Sequence, residues 1–268
     1  MNEIIITSRA NSYVKKVFSL LNKKGRDEYG LFWAEGTKAV EAALNSNKFE
    51  ICDVVVSDEA GDKAGDEATK LLKLANEKGV KIIKFNADCF KKISALRHPE
   101  GIGAVVKINA NNELPDITDK PLVILWQLNN PGNQGTIIRS AAAFNCEAVI
   151  IVEPCVNEYH PMCIRATSGA FFTIDVLKST VEKIIPWIEK NSDKIVILTP
   201  DGEKEINSKN FTSGKILIIG NEPHGINENL KNLFSTAAIT MNPKVESLNT
   251  SCAASIAMYE LWGKKLRN

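Results

Sequence analysis

Three short stretches of this 268-residue chain concentrate polar and glycine residues beyond what turns require. The first, NNPGNQGTIIR at residues 129–139, holds two glycines, a proline and three asparagines ahead of an arginine. Glycines let a ligand approach the backbone and a helix amino terminus favours an anion, although a tight strand-to-helix turn uses the same residues. Arg139 follows among Ile137, Ile138 and three alanines at 141–143, where a buried guanidinium would need an anionic partner. In the second, GNEPHG at 220–225, the backbone at Gly220 could hold a polar ligand and Glu222 could orient it. The third, NPKVESLNTS at 242–251, places Ser247, Asn249 and Ser251 before an apolar segment, and Ser247 or Asn249 could equally cap a helix there.

Each stretch follows an apolar run, at 123–128, 216–220 and 237–241, and two more runs stand at 148–152 and 195–199. Continuous apolar runs suit strands buried on both faces, which predicts a parallel α/β sheet with its ligand at the carboxyl ends of the strands. The last segment, 251–262, is apolar nearly all round (Ile256, Ala257, Met258, Leu261, Trp262), which predicts a helix covered on more than one side, within the domain or by a second subunit. Strand-like and helix-like segments alternate over 31–108, a smaller α/β domain. The polar stretch 109–121, with two prolines, reads as a linker. The expected organisation is therefore 1–108, a linker at 109–121, and 122–268.

Charge is nearly balanced, 33 basic against 32 acidic residues, so no overall field announces a partner. Residues 1–107 carry a mild excess, 18 basic against 15 acidic. Its source is Arg9, Lys15, Lys16, Lys23, Lys24 and Arg26, flanking Val14, Val17, Phe18, Leu20 and Leu21 at helical spacing. That spacing predicts one helix, capped by Asn11 or Ser12 and ended by Gly25, whose basic face is either simply solvated or a phosphate-contacting surface. No apolar run approaches the roughly 20 residues of a membrane helix, and the first residues lack a signal-peptide layout, so a cytoplasmic protein is expected. Six scattered cysteines include no CxxC, and the spacing of Cys155, His160 and Cys163 fits no common zinc motif, so no metal is expected. No GxGxxG follows a strand, no GxxxxGK[ST] loop is present, and the three histidines form no triad-like spacing.

Taken in order, NPGNQGTIIR, GNEPHG and ESLNTS resemble the three motifs of the SpoU (TrmH-type) RNA 2′-O-ribose methyltransferases of the SPOUT class. The front, ITSRANSYVKKVFSLLNKKGRDEYGLFWAEG, is similar to that family's RNA-substrate-binding domain, whose second strand ends in Glu-Gly, here Glu35 and Gly36. The chain departs at Gln127, where Asp is common, at Thr167, where Ser is, and at Thr240, where the family has Pro. The resemblance implies a carboxy-terminal parallel sheet with a trefoil knot, a smaller α/β substrate-binding domain before it, and a homodimer. It also implies S-adenosylmethionine as cofactor, held at Thr199, Gly220, Ile239, Met241 and Leu248. Arg139 would clamp a phosphate or stabilise the developing alkoxide, Asn249 and Ser247 would orient the ribose or Arg139, and Glu222 would hold the second-motif loop, all without metal. RNA capture would fall to Arg9, Lys15, Lys16, Lys23, Lys24 and Arg26. Ribosomal RNA is the favoured substrate, because a separate front domain is commoner in ribosomal-RNA members. Transfer RNA, or an RNA-binding homologue without catalysis, are the alternatives.

Overall fold

A computed structural model describes residues 5–109, 113–211, 213–221, 226 and 228–267. The chain forms two compact units, one of residues 1–110 and 159–173, the other of 111–158 and 174–268.

In the first unit, strands β1 (Ile5–Ile6), β2 (Leu31–Glu35), β3 (Ile51–Ser57), β4 (Lys81–Phe85) and β5 (Ile102–Lys107) form one sheet in the order β1-β4-β3-β5-β2. β1, β4 and β3 run parallel, and β5 is antiparallel to β3 and β2. Helices α1 (Ser12–Ser19), α2 (Lys23–Tyr29), α3 (Thr37–Asn45), α4 (Ala60–Glu77) and α5 (Ala87–Ile93) complete it. Val14, Val17 and Leu20 pack with Trp33, Phe85 and Phe90 in the core.

The single helix expected over 12–25 is two. Asn11 caps α1 by accepting from Tyr13 N at 2.8 Å, and α1 stops at Ser19. Arg26 then turns inward: it is 2% exposed, and its Nη1 donates to the carbonyls of Leu20 (3.0 Å) and Leu21 (3.2 Å) just past the end of α1. Gly25 lies inside α2 instead of ending a helix, because a Cβ there would fall 2.2 Å from the Ser19 carbonyl oxygen. Gly30, at φ 63°, is the residue that ends α2. Arg26 is therefore a structural residue, and its expected role as a phosphate contact is corrected.

The second unit is a seven-stranded sheet in the order β10-β12-β9-β11-β6-β7-β8, every pair parallel. In chain order its elements, with one helix that joins the first unit, are β6 (Leu122–Trp126), α6 (Pro131–Ala143), β7 (Ala148–Val152), α7 (Pro161–Ala166), β8 (Asp175–Ser179), α8 (Val181–Glu189), β9 (Ile195–Leu198), β10 (Lys204–Glu205), β11 (Ile216–Gly220), α9 (Glu228–Lys231), β12 (Ser235–Ala238) and α10 (Thr250–Leu261). The five apolar runs are five of these strands. The two that sequence reasoning missed, β8 and β10, are the sheet's edges, where Asp175, Lys178, Lys204 and Glu205 break any apolar pattern. The central strands are covered on both faces; burial of each aliphatic side chain stabilises by about 1.5–3 kcal/mol. Among the described residues no helix is long and apolar enough to cross a membrane.

The segment 159–173, containing α7, packs with the first unit although it follows β7 in the chain. The rings of Tyr159, Phe171 and Phe172 lie 4.8, 5.9 and 6.2 Å from that of Phe32, centroid to centroid. Gly169, at φ 90°, fits close to α3: a Cβ there would sit 2.8 Å from the Lys38 carbonyl oxygen. The sequence reading assigned this stretch to the carboxy-terminal domain; it holds no local signal of partners more than a hundred residues away.

Candidate active site

The first and third polar stretches become the amino ends of two helices that lock together. Asn130 caps α6 by accepting from the backbone N of Gly132 (2.9 Å) and Asn133 (3.0 Å), with Pro131 at the first helical position. Asn249 caps α10 by accepting from Ser251 N (2.9 Å) and Cys252 N (3.3 Å), and its Nδ2 donates to Asn133 Oδ1 at 3.0 Å. One asparagine thus caps its own helix and ties it to the start of the other. The Ser140 and Ser255 hydroxyls, 2.8 Å apart, join the same pair of helices.

This frame fixes the orientation of α6. Gln134, Ile137, Ile138 and Ala141 face inward. Arg139 is exposed, and no hydrogen bond or ion pair of its side chain is seen among the described residues. The cost of burying a guanidinium among these aliphatic neighbours therefore does not arise. The Arg139 guanidinium stands in solvent on the helix that starts at the first motif.

The five residues expected around the cofactor, Thr199, Gly220, Ile239, Met241 and Leu248, line one cleft at the carboxyl ends of β9, β11 and β12. Ser247 lines it too and caps no helix, which separates it from Asn249. The wall is mostly aliphatic side chain plus strand-end backbone, and the room inside is about 140 Å³. The turn after β9 is held by Asp201, which accepts from the Thr199 hydroxyl and pairs with Lys231 at 3.1 Å. Those contacts, the Thr199 hydrogen bond first, hold its carboxyl below the usual range. Gly202 allows this turn to lie on β12, since a Cβ would meet the Ala237 carbonyl carbon at 2.3 Å. Glu222 lies outside the described residues, as do Pro223 and His224.

The sequence reading singled out neither Asn133 nor Asp201. Asn133 stood inside the first motif and could have been suspected from it; Asp201 carries no signal beyond following a strand.

Of the basic front residues, Lys15, Lys23 and Lys24 are exposed, and Lys16 is half-buried with its Nζ 5.3 Å from the Tyr29 ring centre. Arg9 is ion-paired with Asp88. Among the described residues no group of three or more His, Cys, Asp or Glu side chains is placed to hold a metal. Cys155 accepts from Leu128 N at 3.0 Å, and burial pushes its thiol up to about 11, so it stays protonated at neutral pH. His160 is a helix cap whose Nδ1 accepts from Met162 N at 3.2 Å; burial and the Arg26 charge hold it below its usual range.

Comparison with known proteins fits this geometry. The SpoU rRNA methylase family matches residues 120–259, and an MRM3-like substrate-binding domain matches residues 11–104. An uncharacterized tRNA/rRNA methyltransferase of Synechocystis is 26% identical over 95% of this chain and 92% of that protein. The 23S rRNA (guanosine(2553)-2′-O)-methyltransferase RlmP of Bacillus subtilis is 25% identical over 96% of this chain and 99% of its own. The AdoMet-bound rRNA methyltransferase from Sinorhizobium meliloti superposes with a TM-score of 0.83 at 25% identity, covering 96% of this chain and 97% of the other. An all-parallel sheet whose motif loops form a cleft and a pair of interlocked helix caps, preceded by a separate substrate-binding unit, thus belongs to a chain of the SpoU rRNA methylase family.

Proposed function

We propose that this chain transfers a methyl group from S-adenosylmethionine to a ribose 2′-hydroxyl of ribosomal RNA. The observation that carries the reading is the junction of the first and third motifs, where Asn249 bonds Asn133 beside the cleft-lining residues 247 and 248. The cofactor suits that cleft: aliphatic Ile239, Met241 and Leu248 can cover an apolar ring, while strand-end backbone at Thr199 and Gly220 offers polar groups for its heteroatoms. When bound, S-adenosylmethionine supplies a methyl group activated on a sulfonium.

The 2′-hydroxyl is a weak nucleophile, so the protein must align it and stabilise charge as its proton leaves. A guanidinium is a poor base, so Arg139 clamps the adjacent phosphate or stabilises the developing alkoxide, while that phosphate or water takes the proton. Asn249 and Ser247 orient the ribose or Arg139. The exposed Lys15, Lys23 and Lys24, with Lys16 and Arg9, supply sequence-independent attraction to phosphates.

Homodimerisation through α10 is part of the same reading. Ile256 and Tyr259 on that helix remain 39% and 40% exposed, and Phe144 packs against Tyr259, an apolar face that a second copy would cover. The trefoil knot of the carboxy-terminal segment and a cytoplasmic site of action, with ribosomal RNA at hand, complete it. No metal takes part. The test is a map of 2′-O-methyl groups in ribosomal RNA with and without the gene, alongside calorimetry of S-adenosylhomocysteine with the purified chain. One methyl group lost with the gene, and cofactor-product binding without RNA, are expected. An unchanged map with no such binding overturns the reading.

A further inference from the structure

The first unit holds a cleft of its own, with about 690 Å³ of room, where β3 ends at Ser57, α5 begins at Ala87 and residues 97–101 run toward β5. Its charged and polar walls are Glu59, Asp88, Lys91, Arg97, His98 and Glu100. The loop bearing Arg97 and His98 is fastened at both ends to one turn. At its start the buried carboxylate of Glu35 accepts from the Ser94 hydroxyl and from Ala95 N at 3.1 Å. At its end Glu100 Oε2 accepts from Thr37 N at 2.8 Å and from the Thr37 hydroxyl at 3.0 Å. Between these anchors Gly36 takes φ 104°, and the Glu100 carboxylate would lie 3.4 Å from a Cβ there. The cleft floor is equally fixed: Ser57 N donates to the Gly101 carbonyl at 2.7 Å, and a Cβ on Gly101 would come within 3.1 Å of Ala60 Cα.

A buried carboxylate is costly unless its oxygens are satisfied, and the bonds of Glu35 go to Trp33 Nε1 and to this loop. What the loop displays is exposed Arg97 and His98, which contribute little to packing. A loop anchored on both sides of exposed cationic and aromatic groups is partly preorganised to present them to a ligand.

We infer that this cleft takes an unpaired nucleotide of the RNA substrate, its base stacking on Arg97 or His98 and its phosphate meeting Lys91. The inference rests on the RNA-methyltransferase reading above. The room exceeds what a lone phosphate fills, and guanidinium and imidazole planes both stack on bases. Glu59, Asp88 and Glu100 disfavour a bare run of phosphates, while carboxylates accept from base N–H groups. The cleft also adjoins the basic front: Asp88 pairs with Arg9, and Lys92, next to Lys91 on α5, donates to the Arg9 carbonyl at 3.1 Å.

The test compares two labelled RNA hairpins, one with a single-nucleotide bulge and one fully paired, binding to the full chain by fluorescence anisotropy. The parent should prefer the bulged RNA. The double variant Arg97→Ala, His98→Ala should weaken it about ten-fold, change the paired RNA by less than about three-fold, and leave the salt slope within about one phosphate of the parent. Its affinity for S-adenosylhomocysteine should match the parent's. Equal losses on both hairpins would make these side chains phosphate contacts and overturn the inference, as would no loss on either or a parent without preference. A parent that binds no RNA would overturn both this inference and the reading beneath it. A parent that discriminates the hairpins yet methylates no RNA would sink the reaction alone.

Discussion

The two clefts are built on opposite plans. In the second unit strand-end backbone and aliphatic side chains enclose a slot of about 140 Å³; in the first, a loop of charged side chains borders about 690 Å³. The slot takes its shape from the sheet itself, whose strands are held by continuous burial. The wider cleft takes its shape from two carboxylates, Glu35 and Glu100, that hold a loop in place. A site of the first kind should be most sensitive to added volume, and a site of the second kind to the removal of polar groups, to charge and to pH.

Arg139 belongs to neither plan, because it stands in solvent and lines neither cleft, and the role proposed for it carries the largest expected effect. Arg139→Ala should lower methyl transfer by about two to three orders of magnitude while S-adenosylhomocysteine affinity stays within a few-fold. Arg139→Lys should rescue little, since a point charge does not reproduce a planar fork. An alanine variant that retains most of its turnover in a single-turnover assay removes Arg139 from the chemistry. Gly220→Val probes added volume in the slot: calorimetry should find no S-adenosylhomocysteine binding, with the circular dichroism spectrum unchanged. Parental affinity in the folded variant would place the cofactor elsewhere.

Asn249 separates capping from cross-linking. Asn249→Asp keeps the acceptor that caps α10 but loses the Nδ2 donor to Asn133, whereas Asn249→Ala loses both. The alanine variant should lose about 1 kcal/mol of stability in denaturant titration. The aspartate variant should stay close to the parent's stability and still lose activity. Equal stabilities for the two variants would mean that the cap contributes nothing there.

How much of this was legible depended on whether a residue's partner lies nearby in the chain. The central strands were readable because burial on both faces leaves continuous apolar runs such as LVILW and ILIIG. The motif loops were readable because ligand sites of parallel sheets follow the strands directly. Edge strands β8 and β10 were not, since a half-covered strand can carry Lys and Asp. Arg26 and Arg139 each face away from where their sequence neighbours point. Arg26, in a run of solvated lysines, was drawn inward by the open carbonyls of Leu20 and Leu21; Arg139, among aliphatic neighbours, faces out because the helical turn of about 100° per residue carries it away from the face that Ile137 and Ile138 bury. The aromatic cluster around Phe32 and the loop pinned by Glu35 join residues about 60 to 140 positions apart, which no local pattern encodes.

The basic front gives a graded effect. Changing Lys15, Lys16, Lys23 and Lys24 to Ala together should weaken RNA binding and flatten its log-log salt dependence by about 0.7–0.9 for each phosphate that these lysines neutralise in the parent. S-adenosylhomocysteine affinity should not move. Arg26 is left out of that set because Arg26→Ala would strip the end of α1 of its donors and confound binding with folding. A parental salt slope in the quadruple variant would make this face solvated surface only.

The smallest expected effect tests the fastened loop through pH. Burial raises the Glu35 carboxyl above its usual range, only partly offset by the bonds from Ser94, Ala95 and Trp33. Between the unfolded value and this raised folded value the native state binds more protons than the unfolded one, so the contribution of Glu35 to stability falls as pH rises through that window. Glu35→Gln carries no charge to bury. Its Oε1 can accept from Ala95 N and Trp33 Nε1, and its Nε2 can donate to the Ser94 hydroxyl, which accepts as readily as it donates. Relative to the parent, the glutamine variant should therefore gain a few degrees in Tm on going from about pH 4 to about pH 7. Calorimetric scans of both proteins at the two pH values measure that difference directly. If the difference between variant and parent is the same at both, Glu35 titrates as an ordinary surface carboxylate, and its burial cannot then be a cost maintained for the sake of the Arg97 and His98 loop.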